Sequence, residues 1–156
     1  MAGARVLVAE DREDAARLLG VVLGAAGFRT ASVPHELIAT RVIATEAVPV
    51  VVSSFSGRGV GATAALLREL RSRPEPALRD AGVVAIVDAE VDAAFGIGSD
   101  ADAVLVRPVD AERLVEAVTE VASSRAPRSV RRASRNSLTL AEQNGLGADP
   151  YGAFWE

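Results

Sequence analysis

Short blocks of consecutive apolar residues alternate, along the first 124 positions, with longer stretches whose apolar residues recur every three or four places. The first pattern predicts strands buried on both faces and the second predicts amphipathic helices. Arg5 to Ala9 (RVLVA) is the first predicted strand. Asp11 to Ala26 follows as a helix with Ala15, Leu18, Leu19, Val22 and Leu23 at helical spacing, capped by Asp11 and ended by Gly27. Phe28 to Val33 is a second strand and Leu37 to Ala47 a weaker helix that stops before Pro49. Val50 to Ser53 is the third strand, and Ala62 to Arg73 a helix ended by Pro74 and Pro76. Gly82 to Val87 is the fourth strand, Glu90 to Ile97 a short helix, and Ala103 to Val106 the fifth strand. Ala111 to Ala122 is a last helix with Asp110 as its cap. Five β-α units of this length predict an α/β domain with a parallel sheet covered on both faces.

Within that pattern, residues 49–61 (PVVVSSFSGRGVG) form the boundary that matters most. The Val50–Val52 run breaks into Ser53, Ser54 and then Gly57, Gly59 and Gly61 before the next helix. Ligands and chemistry sit outside the carboxyl ends of strands in such sheets. This strand end offers two hydroxyls and no carboxylate, thiol or imidazole. The glycines lack the Lys-Ser/Thr of a phosphate-binding P-loop and are expected to serve the turn itself.

Composition narrows the picture. Apolar residues make up 49% of the 156, but aromatics only 4%, so the core must be built from Val, Leu, Ile and Ala. There is no Cys, hence no disulfide framework, which suits a reducing cytosol. The acidic residues Glu10, Asp11, Glu13 and Asp14 interrupt the region where a signal peptide would need its apolar run, and no 18-residue apolar span occurs. A cytoplasmic protein without a membrane span is expected. All 17 basic residues are Arg. Residues 1–124 carry 12 Arg against 18 acids, a net of −6. Residues 125–156 carry 5 Arg against 3 acids, a net of +2. That shift places a domain boundary near residue 124.

The acidic pair Glu10-Asp11 after the first strand, the glycine turn ending at Gly61 after the third, and Arg107-Pro108 after the fifth together resemble the receiver domain of bacterial response regulators, over residues 4–124. The resemblance implies a flavodoxin-like (CheY-like) fold with strand order 2-1-3-4-5. It also implies a site made of a Mg²⁺-binding acidic pair, an acceptor Asp ending strand three, a hydroxyl ending strand four, a Lys before Pro, and a switching aromatic on strand five.

Set on those positions, the chain departs from the pattern. The acceptor position falls on Ser53, or on Ser54 with a one-residue slip. The strand-four hydroxyl becomes Asp88, the Lys becomes Arg107 and the aromatic becomes Val104. A Ser hydroxyl without a neighbouring base is a poor nucleophile and a weak Mg²⁺ ligand. Only Glu10 and Asp11 remain in full. We therefore expect no cofactor and no specific metal, Glu10 and Asp11 being the only place for weak Mg²⁺. Arg107 is expected to bridge Glu10, Asp11 and Asp88 and so to fix one conformation without phosphate.

Other catalytic classes find no support. His35 is the only histidine and stands at a helix start, where a capping role is expected, and no Ser-His-Asp set can be assembled around it. The chain is not expected to be an enzyme.

The tail carries the remaining signals. Residues 125–135 (RAPRSVRRASR) hold five Arg, including Arg128, Arg131, Arg132 and Arg135, and are too polar to form a core, so a disordered basic linker is expected. Arg131-Arg132-Ala133-Ser134 has the form of a kinase substrate, making Ser134 a candidate phosphosite. Ser137 to Leu146 has a Thr139-x-x-Glu142 capping box. Tyr151, Phe154 and Trp155 place three of the six aromatics in the last six residues, where they are expected to anchor a partner protein. The alternative is a tail that folds back onto its own domain.

These features converge on a phosphorylation-independent pseudo-receiver, an adaptor or regulator in bacterial signalling or transcription control. Its expected partner is another protein, such as a regulator, a kinase or a polymerase-associated factor, or a second copy of the chain. Nucleic acid is not expected, since five arginines without interleaved aromatics read no sequence. Two alternatives are a single-domain regulator phosphorylated on a non-standard Ser and a receiver that senses a small molecule in the vacated pocket.

Overall fold

The computed structural model describes residues 3–88, 97–124 and 155. Five strands form one parallel sheet: β1 (Arg5–Ala9), β2 (Arg29–Val33), β3 (Val50–Ser53), β4 (Gly82–Val87) and β5 (Ala103–Val106), in the order β2-β1-β3-β4-β5. This is the predicted order. The register brings the ends of β2, β1 and β3 level at Val33, Ala9 and Ser53, while β4 and β5 run on together to Val87 and Val106.

Between the strands run α1 (Glu13–Ala25), α2 (Glu36–Thr45), α3 (Val60–Arg71), the one-turn α4 (Pro76–Arg79), the short α5 (Gly98–Asp100) and α6 (Ala111–Ser123). The side-chain period of two along each strand sorts the core into two layers. Leu7, Ala9, Val51, Val83, Ala85 and Val87 face α2, α3 and α4, against Val42, Ile43, Leu66, Leu67, Leu70 and Leu78. Val6, Val8, Val50, Val52, Val84 and Ile86 face α1 and α6, against Leu23, Leu114 and Val118. Both faces are therefore dry, as the continuous apolar runs require.

Helix boundaries follow local chemistry. The Asp110 carboxylate accepts from Arg113 N at 2.7 Å and His35 Nδ1 accepts from Leu37 N at 3.1 Å, so both residues cap as expected. Asp11 does not: α1 starts after Arg12 with no side-chain cap, because the Asp11 carboxylate is turned to another loop. Helix α3 begins at Val60 rather than at Ala62, with Gly59 at φ +84 as its first flanking residue. Pro76 does not merely end a helix but opens α4, since a ring without an N–H costs nothing in a first turn. The predicted helix at 90–97 lies almost wholly outside the described residues, and so do the basic linker and the 137–146 segment.

One buried side chain ties the lower half of the sheet together. Arg71, at the end of α3, donates to the carbonyls of Asp100 (2.9 and 2.7 Å), Ala81 (2.7 Å) and Arg79 (3.0 Å). Its Nη2 also lies 3.3 Å from Asp102 Oδ2, which accepts from Val83 N at 2.9 Å. The guanidinium thus satisfies carbonyls that α4 and α5 leave without helical partners. Among the described residues no helix is long and apolar enough to cross a membrane.

Candidate functional site

Backbone hydrogen bonds carry the strand ends onward and place the site residues. Glu10 N donates to Val33 O, Ser54 N to Ala9 O and Arg107 N to Val87 O, at 3.0, 2.9 and 2.8 Å. Strands β1, β3 and β5 therefore each deliver a polar residue to one edge directly after their last residue.

Arg107 occupies the centre. Its Nη1 donates to Asp88 Oδ1 at 2.9 Å, and its Nη2 to Ser54 Oγ at 2.6 Å and to the Ser54 carbonyl. The expected bridge holds for Asp88 but not for Glu10 and Asp11. Those two carboxylates are committed elsewhere. Glu10 Oε2 accepts from Arg12 N at 3.0 Å and from Ser56 N at 2.9 Å, and Asp11 Oδ1 from Gly57 N at 3.2 Å. Both clamp the β3–α3 turn to the end of β1. Gly57 makes this possible: a Cβ there would stand 2.2 Å from Asp11 Oδ2.

The two serines separate cleanly. Ser53 has the strand parity of Val51 and points into the α3 layer, fully buried, with its Oγ 3.0 Å from Thr63 Oγ1. Ser54, one residue past the strand, is the hydroxyl that meets Arg107. Of the two expected positions, the one-residue slip to Ser54 is the one beside Arg107. Val104 packs, half-buried, against the α3-side core.

A second arginine closes the turn from outside. Arg58 pairs through Nη1 with Glu36 Oε1 and through Nη2 with Glu36 Oε2 at 3.2 Å, joining the turn to the start of α2. Its guanidinium carbon lies 5.7 Å from the centroid of the buried Phe55 ring. Phe55 takes a φ of +34, a conformation that a bulky residue holds only where its surroundings impose it. Arg58 holds the Glu36 carboxyl below its ordinary range by hydrogen bonding, and the pairing raises Arg58 in turn. Burial pushes the Asp11 carboxyl up, but hydrogen bonds from the backbone N–H groups of Arg58, Asp11 and Gly57 outweigh it, so Asp11 ends below its usual value. None of Phe55, Arg58, Glu36 or Thr63 was visible as a site residue in the sequence, since each acts through a partner on another element.

The Mg²⁺ implied by the receiver resemblance does not fit this donor set. One oxygen of each acid accepts backbone N–H, the third ligand position is a hydroxyl held by a cation, and among the described residues no group of three acidic or imidazole side chains could hold an ion. Glu10 Oε1 is buried without a hydrogen bond.

Of the tail residues expected to meet a partner, Arg128, Arg131, Arg132, Ser134, Arg135, Tyr151 and Phe154 lie outside the described residues. Trp155 is described, and it takes the fold-back alternative: it is 6% exposed, joins the α2/α3-side core, and has the Arg5 guanidinium carbon 5.6 Å from its ring centroid.

No family model and no curated protein matches the chain. Solved structures do. The receiver domain of a signal transduction histidine kinase from Syntrophus aciditrophicus is 22% identical, with a TM-score of 0.66 over 78% of this chain and 91% of that one. A response regulator from Chloroflexus aurantiacus is 17% identical with a TM-score of 0.69, over 78% and 99%. The receiver domain of a Pseudomonas aeruginosa sensor histidine kinase, whose active-site cleft coordinates magnesium, is 16% identical with a TM-score of 0.67, over 79% and 100%. The chain has the CheY-like receiver fold.

Proposed function

We propose that this chain is a pseudo-receiver, a binding module whose receiver surface is held in one state without phosphate and which acts through a protein partner rather than by turnover. The observation that carries the reading is the Arg107 guanidinium seated on Ser54 and Asp88. A receiver switches when a phosphoryl group on the strand-three carboxylate draws in the neighbouring hydroxyl and cation. Here the carboxylate is replaced by Ser54, and the cation is already drawn in. Asp88 orients the cation by accepting from its other terminal nitrogen. Such a hydroxyl, accepting from a guanidinium and without a base, is no phosphoryl acceptor.

Residues 1–124 would be the module, and residues 125–156 the segment that recruits. The test is direct. Full-length protein incubated with a small-molecule phosphodonor and Mg²⁺ is expected to keep its intact mass. A stoichiometric phosphoryl adduct mapped to Ser54 or Ser53 would overturn the reading in favour of a regulator phosphorylated on serine.

A further inference from the structure

The receiver resemblance assigns the acidic pair to an ion, but the oxygens of Glu10 and Asp11 are turned to backbone. Glu10 Oε2 accepts from Arg12 N at 3.0 Å, beside its own strand, and from Ser56 N at 2.9 Å, 46 residues away. Asp11 Oδ1 accepts from Gly57 N at 3.2 Å across the same gap. Asp11 Oδ2 occupies the space that a side chain at residue 57 would need, 2.2 Å from where its Cβ would stand. The oxygen left over, Glu10 Oε1, is buried and takes no hydrogen bond. Mg²⁺ dehydrates reluctantly and keeps several waters. A buried oxygen leaves no room for them.

We propose that Glu10 and Asp11 form a metal-free staple, which fastens the β3–α3 turn to the end of β1 and sets the site without Mg²⁺. The two roles for such a pair differ in the sign of a stability change. Carboxylates gathered for an ion repel one another in the ion-free chain, so deleting one stabilises that chain. Carboxylates that accept backbone N–H supply charge-assisted hydrogen bonds, so deleting one destabilises it. Gly57 belongs to the second role. It does not need a positive φ, so it is the approach of the Asp11 carboxylate that calls for a residue without a side chain.

Thermal unfolding of the full chain in EDTA reads the sign. Asp11→Ala is expected to lower the melting temperature by several degrees. The parent is expected to melt at the same temperature in EDTA and in millimolar Mg²⁺. A higher melting temperature for Asp11→Ala in EDTA would overturn the staple, and so would saturable stabilisation of the parent by Mg²⁺. A double-mutant cycle separates the staple from a general loss of packing. Gly57→Ala forces the Asp11 carboxylate off the turn, so Asp11→Ala is expected to cost clearly less in that background than in the parent. Equal costs in the two backgrounds would also overturn it. The staple rests on the pseudo-receiver proposal and names what sets its site, yet the two fail separately: intact mass after phosphodonor treatment decides the one, and the sign of the Asp11→Ala shift decides the other.

Discussion

Arg107 and Asp88 meet across the ends of β5 and β4, Nη1 to Oδ1 at 2.9 Å, but they do not meet as equals. The Asp88 side chain is 65% exposed and the Arg107 side chain 25%. An exposed carboxylate contributes little to such a pair, whereas the hydrogen bonds of the same guanidinium to Ser54 are sheltered. The contact is thus made mainly on the serine side, with Asp88 orienting the fork.

This asymmetry predicts different costs for removing each partner. Asp88→Ala should change stability by no more than about 0.5 kcal/mol. Arg107→Ala should cost about 1–2 kcal/mol, the worth of charge-assisted hydrogen bonds to Ser54. Urea denaturation of both variants measures the difference, and equal midpoints would show that no lock exists.

The two serines give a second contrast. Ser53→Asp places an ionised carboxylate in the fully buried α3 layer beside Thr63, and should cost more than about 3 kcal/mol or prevent folding. Ser54→Asp places one against Arg107 and should leave the melting temperature at or above that of the parent. The reverse outcome would mean that Ser53, not Ser54, faces the edge.

Much of this was legible in the chain. Apolar runs of four to six residues located β1, β3, β4 and β5, and helix-spaced Leu and Val located α1, α2, α3 and α6 to within about two residues, because strands buried on both faces leave few polar positions to blur them, whereas the short α4 and α5 carry no such period. The edge positions Glu10, Asp11, Asp88 and Arg107 followed, since each stands one or two residues past a strand. What escaped was anything decided by pairing across elements. Gly57 and Gly59 look alike in sequence, yet only Gly59 needs a positive φ, while Gly57 is small so that the Asp11 carboxylate can approach. Arg71 resembles any other helix-end arginine until the carbonyls of Arg79, Ala81 and Asp100 are seen around it.

Those carbonyls make Arg71 a third test. Arg71→Met keeps the aliphatic stem but removes the donors to three carbonyls and the cation beside Asp102, whose Oδ2 keeps the Val83 N–H, and should cost about 3–5 kcal/mol. Arg71→Lys should recover less than half of that, because a point-like ammonium cannot span acceptors arranged for a planar fork. Thermal unfolding of the pair against the parent checks the ranking. A fully restored Lys variant would reduce the site to charge alone.

The last prediction concerns pH, and its sign follows from the clamp on the β3–α3 turn. Arg58 lowers the Glu36 carboxyl below its unfolded value. Such a group contributes stability that is fully present above the unfolded value and is lost as pH falls through the folded one. Arg58 is about one-third exposed, so water screens the pair and its worth at neutral pH should be below about 1 kcal/mol. Arg58→Met should therefore unfold at a slightly lower urea concentration than the parent at neutral pH, and the gap should shrink as the solution is acidified below the ordinary carboxylate range. His35 Nδ1 sits 3.2 Å from the same Glu36 oxygen while it caps α2, so His35→Asn, which keeps a capping acceptor, separates any imidazole contribution from that of Arg58. The carboxyl carbon of Glu36, followed by NMR titration, should move to higher pH in Arg58→Met and by a smaller step in His35→Asn, since Arg58 is the larger of the two lowering partners. A Glu36 titration indifferent to Arg58 would show that the pair does not hold the turn to α2.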